Sequence, residues 1–122
     1  MTPAAERAFA CAACNAQAGL VQLFGPAESA GIVRDSFTSR LTLRVSVDAF
    51  ERVQQMIEAG DVAGLYAFDI EVASFYCPDC GASYCGDHWK RYDVFDDDEE
   101  GFTWHDSIRG CCPHGHTRML ED

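Results

Sequence analysis

Hydrophobic and polar positions change rhythm several times along this chain, and each rhythm predicts an element. Leu20-Val21-Gln22-Leu23-Phe24 reads as a short strand, closed by the turn signal Gly25-Pro26. From Ser39 onward Leu41, Leu43, Val45 and Val47 alternate with Thr42, Arg44 and Ser46, the pattern of a strand buried on one face. Asp48 then reads as a helix N-cap, with Glu51 three residues on completing a capping box. Phe50, Val53, Met56 and Ile57 recur at helical spacing, and Gly60 supplies the stop. A second alternation sets Tyr66, Phe68, Ile70 and Val72 against Ala67, Asp69 and Glu71. It predicts another strand, which runs through Phe75-Tyr76 into a different kind of sequence.

That sequence is Cys77-Pro78-Asp79-Cys80-Gly81-Ala82-Ser83-Tyr84-Cys85-Gly86-Asp87-His88, a dense run of soft metal ligands. Cys11-x-x-Cys14 lies upstream of it and Cys112-Pro113-His114-Gly115-His116 downstream. A Cys-x-x-Cys turn presents two sulfurs on one side of a tight loop, where backbone amides can point at them. Zinc takes thiolate sulfur or imidazole nitrogen at four corners, so four pairs fill two closed tetrahedra. The Cys77/Cys80 and Cys85/His88 pairs stand too close in sequence to wrap one ion together, so each takes its partners from elsewhere. The simplest assignment is a cross-brace: Cys11, Cys14, Cys85 and His88 at one zinc, and Cys77, Cys80, Cys112 and His116 at the other. Cys85 to His88 would open a short helix with Trp89, Tyr92 and Phe95 on its buried side.

The C-terminal pair has an alternative, Cys111 with His114. The amide two residues after the first ligand normally donates to its sulfur, and proline has no amide hydrogen. Cys111 as ligand would put Pro113 at that position, whereas Cys112 puts Pro113 one residue along, as in Cys77-Pro78. This favours Cys112 with His116.

Composition narrows the class. A chain of 122 residues is one domain, 1–122, that profits from metal staples. The seven cysteines are odd in number and interleaved with histidines, which suits metal in a reducing cytoplasm better than disulfides. A formal charge of -11 argues against a nucleic-acid surface, because phosphate binding rests on Lys and Arg. A protein partner with a basic face fits better. No apolar run approaches the roughly 18 residues of a membrane span. The lone Lys90 among eight arginines points to a GC-rich, bacterial coding sequence. The acidic run from Asp93 to Glu100 lacks the ligand spacing of a calcium loop and reads as a solvated segment. His105, in Trp104-His105-Asp106, has no nucleophile paired with it in the sequence and reads as an ordinary histidine.

The order Phe-Tyr-Cys-x-x-Cys-x4-Cys-x-x-His over Phe75 to His88, followed by a later Cys/His pair, resembles the cross-brace treble-clef zinc fingers, the B-box and RING. The ending His114 to Leu120 is similar to the close of B-boxes. The resemblance covers 75–120 and, through one knuckle, 11–14. It implies a protein-interaction module. About 60 residues separate the first two pairs, more than those families carry.

The expected fold class is thus α+β: a small strand–helix–strand layer over 20–74, inserted into a two-zinc, treble-clef-like module formed by 11–14 and 75–120. The expected function is a non-enzymatic interaction or adaptor protein with two structural zincs and no catalytic residue. Two rivals stand beside it. One is a metal-dependent enzyme on the same scaffold, a nuclease or hydrolase, which would need an open metal position. The other is a thiol/zinc redox switch using Cys111 as a spare thiol.

Overall fold

The computed structural model describes residues 2–97 and 103–121, with side chains over 2–92 and 108–120. Its first half is a four-stranded antiparallel meander of β1 (Ala5–Ala10), β2 (Gln17–Phe24), β3 (Ala30–Ser36) and β4 (Arg40–Val45), in that spatial order. Side chains alternate between the faces, as strand geometry requires. Ala5, Phe9, Val21, Leu23, Ala30, Ile32 and Val45 go inward to one core.

That inner face is covered by α1 (Val47–Ala59) and α2 (Val62–Phe68). Ala49, Val53 and Ile57 of α1 are buried, a stripe at four-residue steps. The cap sits two residues earlier than the Asp48/Glu51 box suggested: Ser46 Oγ accepts from the Ala49 amide at 3.3 Å. Ser46 holds extended backbone before the first turn, the geometry an N-cap needs. At the other end Gly60 takes φ 70°, and the amides of Gly60 and Asp61 return to Ile57 and Met56.

Three expectations fail here. The alternation from Tyr66 to Val72 is not a strand. Asp61 accepts from the Gly64 amide at 2.9 Å and starts α2, in which Val62, Leu65 and Tyr66 face the core at helical spacing. Val72 to Phe75 is then a consecutive buried run with no periodicity, wedged beneath the sheet. The Phe75 ring lies 2.3 Å from where a Cβ on Gly19 would sit, so that position requires glycine. Second, β1 precedes the first knuckle and pairs with β2, so the α+β layer begins upstream of the expected boundary at residue 20. Third, Cys85 to His88 opens no helix. It is a turn that leads into β7 (Lys90–Asp97). The α+β class stands, as a four-stranded sheet with two helices in place of a strand–helix–strand layer.

The second half holds a two-stranded hairpin, β5 (Tyr76–Cys77) with β6 (Ala82–Ser83), and an antiparallel sheet of β7, β8 (Thr103–Cys111) and β9 (Thr117–Glu121). Of the acidic run, Asp93 to Asp97 lie in β7, and His105 lies in β8; their side chains, and residues 98–102, lie outside the described residues. No helix among the described residues is long and apolar enough to cross a membrane.

The halves are tied at several points. Arg34, wholly buried, donates from Nε to the Glu71 carbonyl at 2.8 Å and from Nη1 to Ser36, Thr38 and Ser39. Arg118 donates to the carbonyls of Ser74 and Tyr76 and stacks on Tyr66, its carbon Cζ 4.9 Å from the ring centre. Trp89 Nε1 donates to the Phe75 carbonyl at 3.0 Å. Phe37 packs against both cores.

Candidate metal centres

Every candidate ligand sits at a strand end or in the turn just beyond it, so the sheets fix where the sulfurs point. Cys11 and Cys14 occupy the β1–β2 turn, and Cys77 and Cys80 the β5–β6 turn. Cys85 and His88 occupy the β6–β7 turn, and Cys112 and His116 the β8–β9 turn.

The first two turns share one construction. The amide of residue five donates to the carbonyl of the first cysteine, Asn15 to Cys11 at 2.8 Å and Gly81 to Cys77 at 2.9 Å. Residue five is left-handed in both, at φ 64° for Asn15 and 65° for Gly81. Glycine takes that conformation freely, and asparagine is among the few other residues that visit it. Gly115, at φ 88°, provides the corresponding reversal in the C-terminal turn.

Folding gathers the eight side chains into two groups, Cys11/Cys14/Cys85/His88 and Cys77/Cys80/Cys112/His116, with all four donor atoms of each within 4.8 Å of one another. In the first, Cys14 Sγ is 3.6 Å from Cys85 Sγ, and His88 Nδ1 is 3.6 Å from Cys11 and 3.3 Å from Cys85. In the second, Cys80 Sγ is 3.7 Å from Cys112 Sγ, and His116 Nδ1 lies 3.9, 3.2 and 3.3 Å from Cys77, Cys80 and Cys112. A tetrahedral ion with metal–sulfur bonds of about 2.3 Å and metal–nitrogen bonds of about 2.0 Å has ligand–ligand edges of roughly 3.5–3.8 Å. The two groups therefore have the dimensions, as well as the donor chemistry, to hold zinc. None of the seven cysteines is in a disulfide. The two sets alternate along the chain, which is the cross-brace order.

Backbone amides prepare some of these sulfurs for negative charge. Burial by itself raises the Cys11 thiol, but amides of Cys85, Ala13 and Cys14 more than reverse this and bring it to about 6. Cys112 likewise overcomes burial through the amides of His116 and His114 and falls to about 7. The amides of His114 and His116 each donate to Cys112 Sγ at 3.4 Å. His114 is the residue two after Cys112, so Pro113 sits where no donor is needed. Cys77, wholly buried, is pushed up to about 11, first by that burial. Cys111 stays outside both groups, half-buried, with its thiol on the Cys112 carbonyl at 3.5 Å.

Sequence reasoning passed over what surrounds the sulfurs. Tyr84 is buried between the second group and Trp89, and its contact with Cys80, followed by burial, pushes the phenol up to about 12. Ala12 donates to the Ser83 carbonyl at 2.8 Å, stitching the first knuckle onto β6. Asn15 was detectable by analogy, since Cys14-Asn15 stands where Cys80-Gly81 stands. A cleft of about 510 Å³ is lined in part by His88 of the first group and Cys112 of the second, with Lys90 and Cys111.

No curated protein and no solved structure matches the chain. One protein family does, along residues 2–122. The chain belongs to that family, described as Domain of unknown function (DUF8328).

Proposed function

We propose that this chain is a non-enzymatic protein-interaction module, held in shape by two structural zinc ions in Cys3His sites. The observation that carries the reading is the closure of the two groups. Each draws four soft donors together within 4.8 Å, as many as a tetrahedral ion accepts. A catalytic zinc keeps a position for water or substrate, and three protein ligands are its usual complement. Here the chain's own residues would fill all four positions of each ion, and an interaction surface is what remains. From the resemblance to cross-brace fingers this reading keeps the alternate pairing and leaves aside the treble-clef helix. The charge of -11 favours partners with Arg- or Lys-rich faces and disfavours phosphate backbones.

Cobalt substitution tests the closure. The cobalt-loaded chain should show the intense visible bands of a tetrahedral thiolate site, unchanged on titration with azide. An azide-dependent spectrum would mean an exchangeable position, and with it an enzyme.

A further inference from the structure

We propose that the outer face of the four-stranded sheet is a dimer interface, at which a second copy of this chain packs about a two-fold axis running along the strands. Both helices lie on the inner face, and no described element covers the outer one. The register fixes what that face displays. One row across the sheet is Glu6, Gln22, Val33 and Thr42. The row on one side is Ala8, Leu20, Asp35 and Arg40, and the row on the other is Phe24, Gly31 and Arg44. Leu20, Phe24 and Val33 are partly exposed and belong to neither core. Glu6, Ala8, Arg40, Thr42 and Arg44 are exposed.

The charges select the occupant. Glu6 stands on one edge strand, and Arg40 and Arg44 stand on the opposite edge, one row to either side of Thr42. The Glu6 carboxylate is held on this face by Gln22 Nε2 at 2.7 Å. Stacking two copies face to face about an axis along the strands lays β1 of each over β4 of the other and keeps the rows aligned. Each Glu6 then meets Thr42 of its partner, between the two arginines. Each Phe24 falls over Gly31, where no side chain stands, and each Gln22 over Val33. The least favourable meeting, Leu20 over Asp35, lies beside Arg40, which supplies the compensating charge. A self-complementary patch of this kind is what a closed two-fold interface requires, and near-aligned face-to-face packing is an ordinary arrangement for sheets. The face is four strands wide at about 5 Å spacing and about 20 Å long, which is small for a stable interface, so the dimer is expected at micromolar concentration.

This inference goes beyond the zinc reading and does not depend on it. Sedimentation equilibrium at about 100 μM, above the expected dissociation constant, should give twice the 13.4 kDa of one chain. R40E/R44E should weaken association at least tenfold, as should E6R alone, because each opposes like charges. The triple variant E6R/R40E/R44E should dimerise again. All these side chains are exposed, so unchanged circular dichroism controls for folding. A single-chain mass for the unmodified protein, or a dimer indifferent to all three variants, would overturn the inference. Zinc content measured on the same samples keeps that failure separate from any failure of the metal reading.

Discussion

At the scale of single residues, the contrast between Cys111 and Cys112 shows how little separates a candidate ligand from a neighbour outside both groups. Both lie in the same strand-to-turn junction, yet only Cys112 receives the amides of His114 and His116. Pro113, which has no amide hydrogen, stands one residue after Cys112, where no donor to the sulfur is needed, and two after Cys111, where one would be. That logic was legible in the sequence because it rests on a covalent fact about proline. The burial of Tyr84 was not, because it depends on which turns meet in space. We predict that C111S binds two zinc ions per chain and that C112S binds one, by elemental analysis of proteins purified in parallel. C112S should also be strongly destabilised, since structural zinc contributes about 10–16 kcal/mol of apparent binding in isolated fingers. Equal zinc content in the two variants would show that the C-terminal ligand has been misassigned.

The elements divide into those whose pattern speaks for itself and those decided by neighbours. The strand at Arg40–Val45 and the helix with its Gly60 stop were readable because one face is apolar at the right period. β1 and β3 were not identified. Ala5–Ala10 favours helix by composition and becomes a strand only through pairing with β2. In β3 the inward position after Ile32 is Arg34, which breaks the expected apolar alternation. The alternation from Tyr66 to Val72 reads as a strand, but its first residues are the end of α2, which Asp61 caps upstream of the alternating run.

The two cores differ in the same spirit. The first is built of ordinary hydrophobic side chains, whereas the second consists of Cys11, Cys77, Cys85 and Cys112 with Tyr84, Trp89 and Leu120. Four of those seven members are proposed ligands, so without metal little remains there to bury. Chelation should therefore remove hydrogen-exchange protection from Tyr76–Cys85 and Ile108–Leu120 while β2, β3 and α1 keep most of theirs. Loss of protection throughout, at the same chelator concentration, would mean that the first core cannot stand without the metals.

For the whole molecule, the crossing of the pairs matters more than their number. Sequential pairing would give two independent loops, one per ion. Alternate pairing makes each ion close a loop that contains ligands of the other, and it clamps the first sheet against the hairpin and the C-terminal sheet. In the proposed reading, this crossing would supply the rigidity an interaction surface needs, in a chain whose charge of -11 opposes compaction. Native mass spectrometry of two double variants tests it directly. C11S/H88A disables two ligands of one proposed site, so the protein should retain one zinc ion. C11S/C77S disables one ligand in each, so it should retain none. The opposite result, one ion in C11S/C77S and none in C11S/H88A, would mean that the pairs are joined in sequence order and that the cross-brace is wrong.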